Sequence, residues 1–483
     1  MMLVKEEQGI AARHLGVSLL SAFLCGASLV HAQAPNPTSA ANPFYGSVTA
    51  HPATDDVIRL SLDEGVRRGL ETNLGLKESE NSEKAIHGEK MQALQEFLPT
   101  ITLTGDTGFY QHNLEALGFG PGFIKYFPGP PPPGFSFITH DTLTQGQVHL
   151  NQTIFSGPVI AGWKAAGAAT RAAHFARMSA RGEVVQQVAS AYLHAIAAAS
   201  EVDNARALEQ QDRVLYEQAR DSHAAGTASN LDEIRARVQL QSQQQALIAA
   251  QAQLDKNLIL LKREIGLDPG QKITLTDPAP YSELALQTPE EVRAVAYQNR
   301  QDYQNLQNQV VEYRSIRNAY RSQRFPTLSF NGYYGTSTVA SVGTHGVFLA
   351  EGNLKVPLFR EPQIRGNVQA AQAQLDEVTS QLDDLRGHID QQVRSALLDV
   401  DATEKLVEVS RSNVELATRA LSDETDRVNA GVDDNLPLVT AQATLANAQT
   451  ALVESLYQYN LSKLALARSA GVLEQQYRVY LGR

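Results

Sequence analysis

Small groups of carboxylates follow two glycines, each of which lies at a predicted turn between long helices. Grouped carboxylates attract cations, which makes these turns the most chemically distinctive points of the chain. Acidic residues are also favoured near a helix N-terminus as caps and by the helix dipole, so the sequence leaves both roles open. The two groups are Gly226 with Asp232 and Glu233, and Gly431 with Asp433 and Asp434.

No catalytic motif accompanies these carboxylates. The chain contains no HExxH, GxSxG or P-loop pattern, and its twelve histidines are scattered. Gly118, Gly120 and Gly122 lie in a proline-rich segment, whereas a dinucleotide site needs its glycines between a strand and a helix. We therefore expect no enzymatic activity, no cofactor and no metal site.

Composition and the N-terminus indicate an exported protein that does not bind nucleic acid. The net charge is −11 and there is no basic run, which argues against nucleic acid. Residues 1–32 have the pattern of a signal peptide cleaved after Ala32, and the alternative, a membrane anchor, would be short for a span. The only cysteine, Cys25, lies inside this leader, and Leu24 before it disfavours lipidation. The mature chain would then have no disulfide.

The chain contains a duplicated half. Phe155 is matched by Phe359 at an offset of 204, and Gly226 by Gly431 at an offset of 205. Repetition over more than 100 residues predicts two similar structural halves. The predicted segments are a flexible N-terminal segment (33–58), a first repeat (59–269), a linker (270–287), a second repeat (288–475) and a C-terminal tail (476–483).

Long helices account for most of each half. Capping-box patterns at Ser61 and Thr288 predict helices to about residues 96 and 323. Segments 157–223 and 361–429 predict helices that are each about 100 Å long. Return helices follow over about 231–265 and 436–470, after turns whose glycines are natural helix caps.

Four alternating segments predict strands. Pro99 and Pro326 end the capping-box helices, and alternation of apolar and polar residues then predicts strands over about 101–110, 147–155, 327–335 and 347–358. This length suits tilted membrane strands, although a soluble half-buried hairpin shows the same alternation. One face is polar, with Thr102, Thr104, Asn151, Ser329 and Asn331.

The two predicted hairpins differ in their loops. Pro326 follows Pro99 by 227 residues while Phe359 follows Phe155 by 204, so the first hairpin is 23 residues longer. The excess lies within Gly118–Phe137, which contains Pro130–Pro133. Such backbone forms neither helix nor ladder, and we expect a long loop in water.

Four membrane strands cannot close a barrel, because single-chain barrels begin at eight strands and an open edge in lipid leaves backbone groups unpaired. We therefore expect several chains to share one barrel. Three chains would supply twelve strands, and the polar face would line a conduit across the envelope.

In the order and duplication of its motifs, the chain resembles the TolC family of outer-membrane efflux proteins. The resemblance covers about residues 59–475 and depends on no single motif. Its features are Ser61–Val66 with Glu71–Asn73, Phe97–Thr100, Phe325–Thr327, Phe155, Val356–Phe359, the turns Ala225–Asp232 and Ala430–Leu436, and the closing segments Leu261–Gly266 and Leu466–Gly471.

The resemblance implies a mainly α fold with a transmembrane β part. Long antiparallel helical hairpins would form a trimeric α-barrel in the periplasm, and four strands per chain would contribute to a shared 12-stranded β-barrel in the outer membrane of a diderm bacterium. A periplasmic adaptor and an inner-membrane pump would be partners, and the channel itself would be passive. Pro99, Phe155, Pro326 and Phe359 would mark the strand–helix junctions.

In that family the hairpin tips form the closed periplasmic end and contact the adaptor. The resemblance therefore suggests that Asp232, Glu233, Asp433 and Asp434, beside Gly226 and Gly431, surround this aperture, favouring cations and divalent block. Pro437 stands opposite Asp232 in the second half and departs from the pattern. The alternative function is a periplasmic coiled-coil adaptor or structural protein without a membrane barrel. The exported substrate, and which pump and adaptor are involved, cannot be inferred from the sequence.

Overall fold

The computed structural model describes residues 42–48, 52–118, 120–126, 129, 136–227, 229–278, 281–285, 287–340, 342–430 and 435–482. The predicted signal peptide, the prolines 130–133 and the second turn with Gly431, Asp433 and Asp434 lie outside this part of the chain. Among the described helices, none combines the length and apolar composition needed to cross a membrane.

Nine α-helices lie within the described residues, and the long helices occur in the places that the duplication predicts. The helices are α1 Leu62–Thr72, α2 Leu74–Gln95, α3 Gly157–Ala224, α4 Asn230–Glu264, α5 Pro289–Asn299, α6 Gln301–Ser322, α7 Glu361–Asn429, α8 Asn435–Ser469 and α9 Leu473–Tyr480.

The described part of the chain contains six strands: β1 Ile58–Leu60, β2 Thr100–Asn113, β3 Ile138–Phe155, β4 Ile273–Leu275, β5 Thr327–Val339 and β6 Gly343–Lys355. They form two sheets, a short parallel pair of β1 and β4 and an antiparallel sheet with the order β2-β3-β5-β6.

The strands of the larger sheet differ in length from the sequence prediction. The ladders continue past the apolar positions because polar residues pair across them: the hydroxyls of Thr107 and Thr144 are 2.9 Å apart, and those of Thr338 and Thr344 are 2.8 Å apart. The last strand, in contrast, ends at Lys355 rather than near 358. Pro357 has no N–H for the ladder.

The chain divides into two compact units. One contains Met91–Trp163 and Ile316–Val368, with the four-stranded sheet and the helix ends attached to it; the other contains the remaining described residues. In the second unit, one apolar core forms around Leu60, Val188 and Leu261, and another around Val292, Val393 and Leu466.

Each capping-box helix is interrupted, where the sequence predicts one continuous helix. The first breaks at Asn73, whose ψ of 132° is extended, and the second at Arg300, whose ψ is 120°. The side chains stabilise these breaks: Asn73 Nδ2 donates to the carbonyl of Phe44 at 2.6 Å. Asn and Arg are compatible with helices, so composition alone gave no sign of the breaks.

The two predicted capping boxes are not equivalent. At Thr288 both reciprocal bonds with Glu291 form. At Ser61 the hydroxyl accepts from the amide of Glu64 at 3.3 Å, but the carboxylate of Glu64 accepts bonds from Arg67 and Arg68 instead.

Three segments predicted as flexible, linker or tail contribute to the packed structure. Ile58–Leu60 pairs in parallel with Ile273–Leu275, which lies in the predicted linker. At the C-terminus, Leu473 and Tyr477 are buried on one side of a short helix. Apolar side chains spaced four apart explain this helix.

Candidate functional site

One face of the four-stranded sheet is apolar and exposed. Ladder pairing places Leu103, Val148, Tyr334 and Phe348 in one row across all four strands. Leu103 is 79% exposed and Phe348 is 76% exposed. A row of large exposed apolar side chains indicates a surface that contacts lipid or another apolar partner.

The opposite face contains every charged side chain of this sheet. Asp106, Asp141, Glu351 and Lys355 all occupy alternating positions on the polar side, and the apolar side has no Asp, Glu, Lys or Arg. Three acids and one base make this face net negative. The confinement of all charged side chains to one face distinguishes the two faces more sharply than the alternation of uncharged residues in the sequence predicts.

Rows of polar side chains on this face contact each other across strands. Nε2 of His149 lies 3.0 Å from the hydroxyl of Thr104. The His149 and Tyr333 rings are 5.4 Å apart, centroid to centroid. Gly335 lets the third strand approach closely, since a Cβ there would lie 2.1 Å from the carbonyl oxygen of Gly146. The polar face is therefore tightly built around its centre.

The four strand ends that connect to helices lie at the same end of the sheet. Pro99 and Pro326 directly precede β2 and β5, Phe155 ends β3, and Phe359 lies between β6 and α7. Phe155 is about half exposed and Phe359 is 84% exposed. Each of the four residues therefore lies at or next to the end of a strand, on the side that leads to a helix.

An ion-pair group joins the two helix ends beside the second hairpin. Arg324 donates to both carboxylate oxygens of Glu361, with Nη2 at 2.8 Å and Nε at 3.1 Å. Arg365 donates to the same carboxylate at 2.8 Å. Hydrogen bonds from Arg324 and then Arg365 lower the pKa of Glu361 to about 2, so this carboxylate is charged throughout the physiological range.

In the turn between α3 and α4, the backbone of Gly226 adopts the left-handed region, with φ +74°. The amide of Thr227 donates to the carbonyl of Ser222 at 2.9 Å, which closes the end of α3. Only glycine enters this region readily. Gly226 therefore has the structural role that the sequence predicts.

Asp232 is a helix-capping residue in this structure. Its carboxylate accepts from the amide of Ser229 at 3.3 Å, while its own amide donates to the hydroxyl of Ser229. Arg235 lies 3.7 Å from it, and Glu233 lies 3.9 Å from His223. Both acids lie at the tip and are partly exposed, 20% for the side chain of Asp232 and 24% for that of Glu233.

The second tip is described up to Ala430 and again from α8 onward, so Gly431, Asp433 and Asp434 lie outside the described residues. Pro437, opposite Asp232, falls in the first turn of that helix. The amide there has no partner within the helix, so proline is tolerated. The two tips therefore begin their return helices with different chemistry.

Two titratable side chains of the second unit are fully buried, which the sequence pattern does not indicate. Glu264 is fully buried; its Oε1 accepts from Gln187 at 3.4 Å, and its Oε2 has no hydrogen-bond partner among the described residues. Burial raises its pKa to about 8. The residue ends a helix rich in Gln and Ala, where helical periodicity does not separate buried from exposed polar positions.

Lys463 is also fully buried. Its Nζ donates to the carbonyl of Ser282 at 3.1 Å and lies 4.4 Å from the centroid of the Tyr459 ring. Burial lowers the pKa of Lys463 to about 8. The lysine and the tyrosine, which donates to the same carbonyl at 3.2 Å, attach the linker to α8.

No group of three or more His, Cys, Asp or Glu side chains within the described ranges is arranged to hold a metal ion.

The family model for the outer membrane efflux protein matches residues 66–267 and 292–472, one range within each of the two repeats. A relative from Pseudomonas aeruginosa, the pyoverdine export outer membrane protein OpmQ, is 24% identical over 323 residues. That alignment covers 65% of this chain and 66% of the relative, slightly less than two thirds of its length.

Solved structures show the same fold. A membrane protein from Pseudomonas aeruginosa matches with a TM-score of 0.72 and 20% identity, covering 85% of this chain and 93% of that one. The CmeC outer membrane channel of Campylobacter jejuni matches with a TM-score of 0.69 and 15% identity, covering 89% and 92%. The MtrE outer membrane channel of Neisseria gonorrhoeae matches with a TM-score of 0.69 and 16% identity, covering 91% and 97%.

Proposed function

The chain belongs to the outer membrane efflux protein family, and on this basis we propose that it is the passive exit duct of a tripartite efflux or type I secretion system. The observation that supports this most strongly is the separation of the sheet faces. One face carries rows of exposed apolar side chains, and the other carries all the charged ones. A sheet with lipid on one side and water on the other needs this arrangement.

The unpaired sheet edges support assembly from several copies. β2 and β6 are the outer strands, with 14 and 13 residues, and each pairs on one side only. In lipid, unpaired backbone groups are costly. We propose a homotrimer in which the last strand of one copy pairs with the first strand of the next, giving a closed twelve-stranded barrel.

The polar face would then line the conduit. Asp106, Asp141 and Glu351 outnumber Lys355 on this face, so a conduit lined by it would favour cations. Nothing on this face resembles a site that changes a substrate chemically. The duct therefore needs an energy source elsewhere, and we propose an inner-membrane pump coupled to it through a periplasmic adaptor.

The helical tips would form the periplasmic aperture and the contact for the adaptor. On the first tip, Gly226, Asp232 and Glu233 supply a turn and two carboxylates. Gly431, Asp433 and Asp434 are their proposed counterparts. The pump would select most of the exported substrate, so we propose no particular substrate for the duct.

Membrane fractionation of cells that express the full chain tests this proposal. We expect recovery in the outer membrane, and a trimer mass after extraction into mild detergent. Recovery of a soluble, elongated, monomeric protein would overturn the proposal and favour a periplasmic adaptor or structural role.

A further inference from the structure

Five arginines lie where α6 ends and α7 begins, on either side of the second hairpin. Arg317 and Arg321 are four residues apart on α6 and so lie on the same side of that helix, and Arg324 follows just beyond its end. The carboxylate of Glu361 accepts from two of the five. We name this group the arginine collar: Arg317, Arg321, Arg324, Arg360 and Arg365.

This positive charge is specific to the second half of the duplication. Residues 316–326 and 356–368 contain five arginines and one acid, Glu361, for a net charge of +4. The corresponding residues of the first half, 89–99 and 152–164, contain two glutamates and two lysines, for a net charge of zero. The collar is therefore not a general feature of helix ends at this edge of the sheet.

Exposed apolar side chains stand directly beside the collar. Phe325 follows Arg324 and is 59% exposed, and Leu358 and Phe359 precede Arg360 and are 92% and 84% exposed. Apolar side chains next to cationic ones match a membrane interface, where the apolar group enters the acyl chains and the long cationic side chain reaches the headgroups.

We propose that the arginine collar binds the phosphate groups of anionic phospholipids, such as phosphatidylglycerol, in the periplasmic leaflet. The proposal rests on the proposed function, which places the adjoining sheet in the outer membrane. Guanidinium groups form paired hydrogen bonds with phosphate, and basic clusters beside a membrane segment attract anionic lipid. The net charge of +4 supplies the complementarity that a neutral lipid lacks.

Fluorescence of the single tryptophan, Trp163, can report which lipids lie beside the collar. Trp163 belongs to the same unit as the collar, and its ring lies 6.2 Å, centroid to centroid, from that of Phe97. The full-length trimer is reconstituted into phosphatidylcholine vesicles containing equal small fractions of pyrene-labelled phosphatidylglycerol or pyrene-labelled phosphatidylcholine. Energy transfer from Trp163 to pyrene reports how often each lipid occupies the neighbouring positions.

We expect more transfer to the anionic lipid for the wild type, with a preference that weakens at 0.5 M salt. Replacing Arg321→Gln and Arg360→Gln together should reduce the preference roughly tenfold or more. The conservative pair Arg321→Lys and Arg360→Lys should retain most of it. The matched control, Arg206→Gln with Arg419→Gln, removes two exposed arginines of the other unit and should leave the preference unchanged.

Equal transfer to the two lipids in the wild type, or an unchanged preference in the Arg321→Gln, Arg360→Gln variant, would overturn the proposal. Equal reductions in the variant and in the control would indicate a general charge effect and would also overturn it. Conductance of the same vesicles separates the two proposals. Protein that conducts without lipid preference contradicts only the collar, whereas wild type that neither inserts nor conducts contradicts the proposed function and the collar with it.

Discussion

Asn73 and Arg300 occupy equivalent positions in the two halves, 227 residues apart like Pro99 and Pro326, and both interrupt a helix with extended backbone. Their side chains achieve this in different ways. Asn73 accepts the amide of Leu76 at 3.2 Å and so caps the next helix. Arg300 donates to Asp302 and Gln392, both at 2.6 Å. The duplication therefore kept the break and changed the contacts that stabilise it.

Replacing Asn73→Ala should destabilise the second unit by about 1–3 kcal/mol, because two hydrogen bonds to buried backbone groups are lost. The measurement is denaturant unfolding in detergent. Asn81→Ala is the matched control, since this asparagine is exposed in the middle of the same α2 helix and its loss should cost under about 0.5 kcal/mol. Equal effects of the two substitutions would show that Asn73 does not stabilise the break.

The variant Glu264→Gln should gain stability relative to the wild type as the pH rises. The folded-state pKa of Glu264 is raised from 4.5 to about 8, so the wild type loses stability as pH rises from about 4.5 through 8. The difference should reach about 3 kcal/mol by pH 7. Thermal unfolding of both proteins from pH 5 to 8 measures it, and a constant difference across this range would contradict the assignment.

The variant Lys463→Met should show the opposite trend. Burial lowers the folded-state pKa of Lys463 from 10.5 to about 8. Between these values the unfolded chain binds more protons, so the wild type gains stability relative to the variant as pH rises from about 8 toward 10. Melting curves at pH 7, 8, 9 and 10 test this. A stability difference that stays constant, or that shifts toward the variant as the pH rises, would contradict the burial of this amine.

At the tips, charge and capping can be separated by two kinds of variant. Asp232→Asn, Asp433→Asn and Asp434→Asn together should weaken magnesium block about tenfold, equivalent to about 1.4 kcal/mol of lost attraction, and should reduce cation preference. Ser229→Ala removes the hydroxyl that caps α4 but leaves all three charges, so it should keep both properties. Single-channel recording in planar bilayers measures them. Unchanged block and selectivity in the triple variant would contradict the proposal that these acids surround the aperture.

The sequence was sufficient for features that depend on local pattern. Alternation assigned Leu103 and Thr104 to opposite faces, and Pro99 and Pro326 marked where helix gives way to strand. Gly226 was predicted as a helix end because only glycine adopts the conformation needed there.

Features that depend on distant partners could not be predicted. The break at Asn73 needs the carbonyl of Phe44, and the burial of Lys463 needs the carbonyl of Ser282. Likewise, the C-terminal helix packs partly through Arg181, which donates to Glu474 at 2.6 Å. In the Gln- and Ala-rich helices, polar residues occur on all sides, so periodicity does not show which are buried.

The most direct test of the central claim, that the polar face of the sheet lines a conduit, uses neighbouring single cysteines in a background without Cys25. Ser337 lies on the polar face opposite Gln145, and Thr336 lies on the apolar face opposite Gly146. We predict that a charged methanethiosulfonate reagent changes the single-channel conductance of Ser337→Cys and leaves that of Thr336→Cys unchanged. A change confined to Thr336→Cys, or no change at either position after complete labelling, would contradict the account.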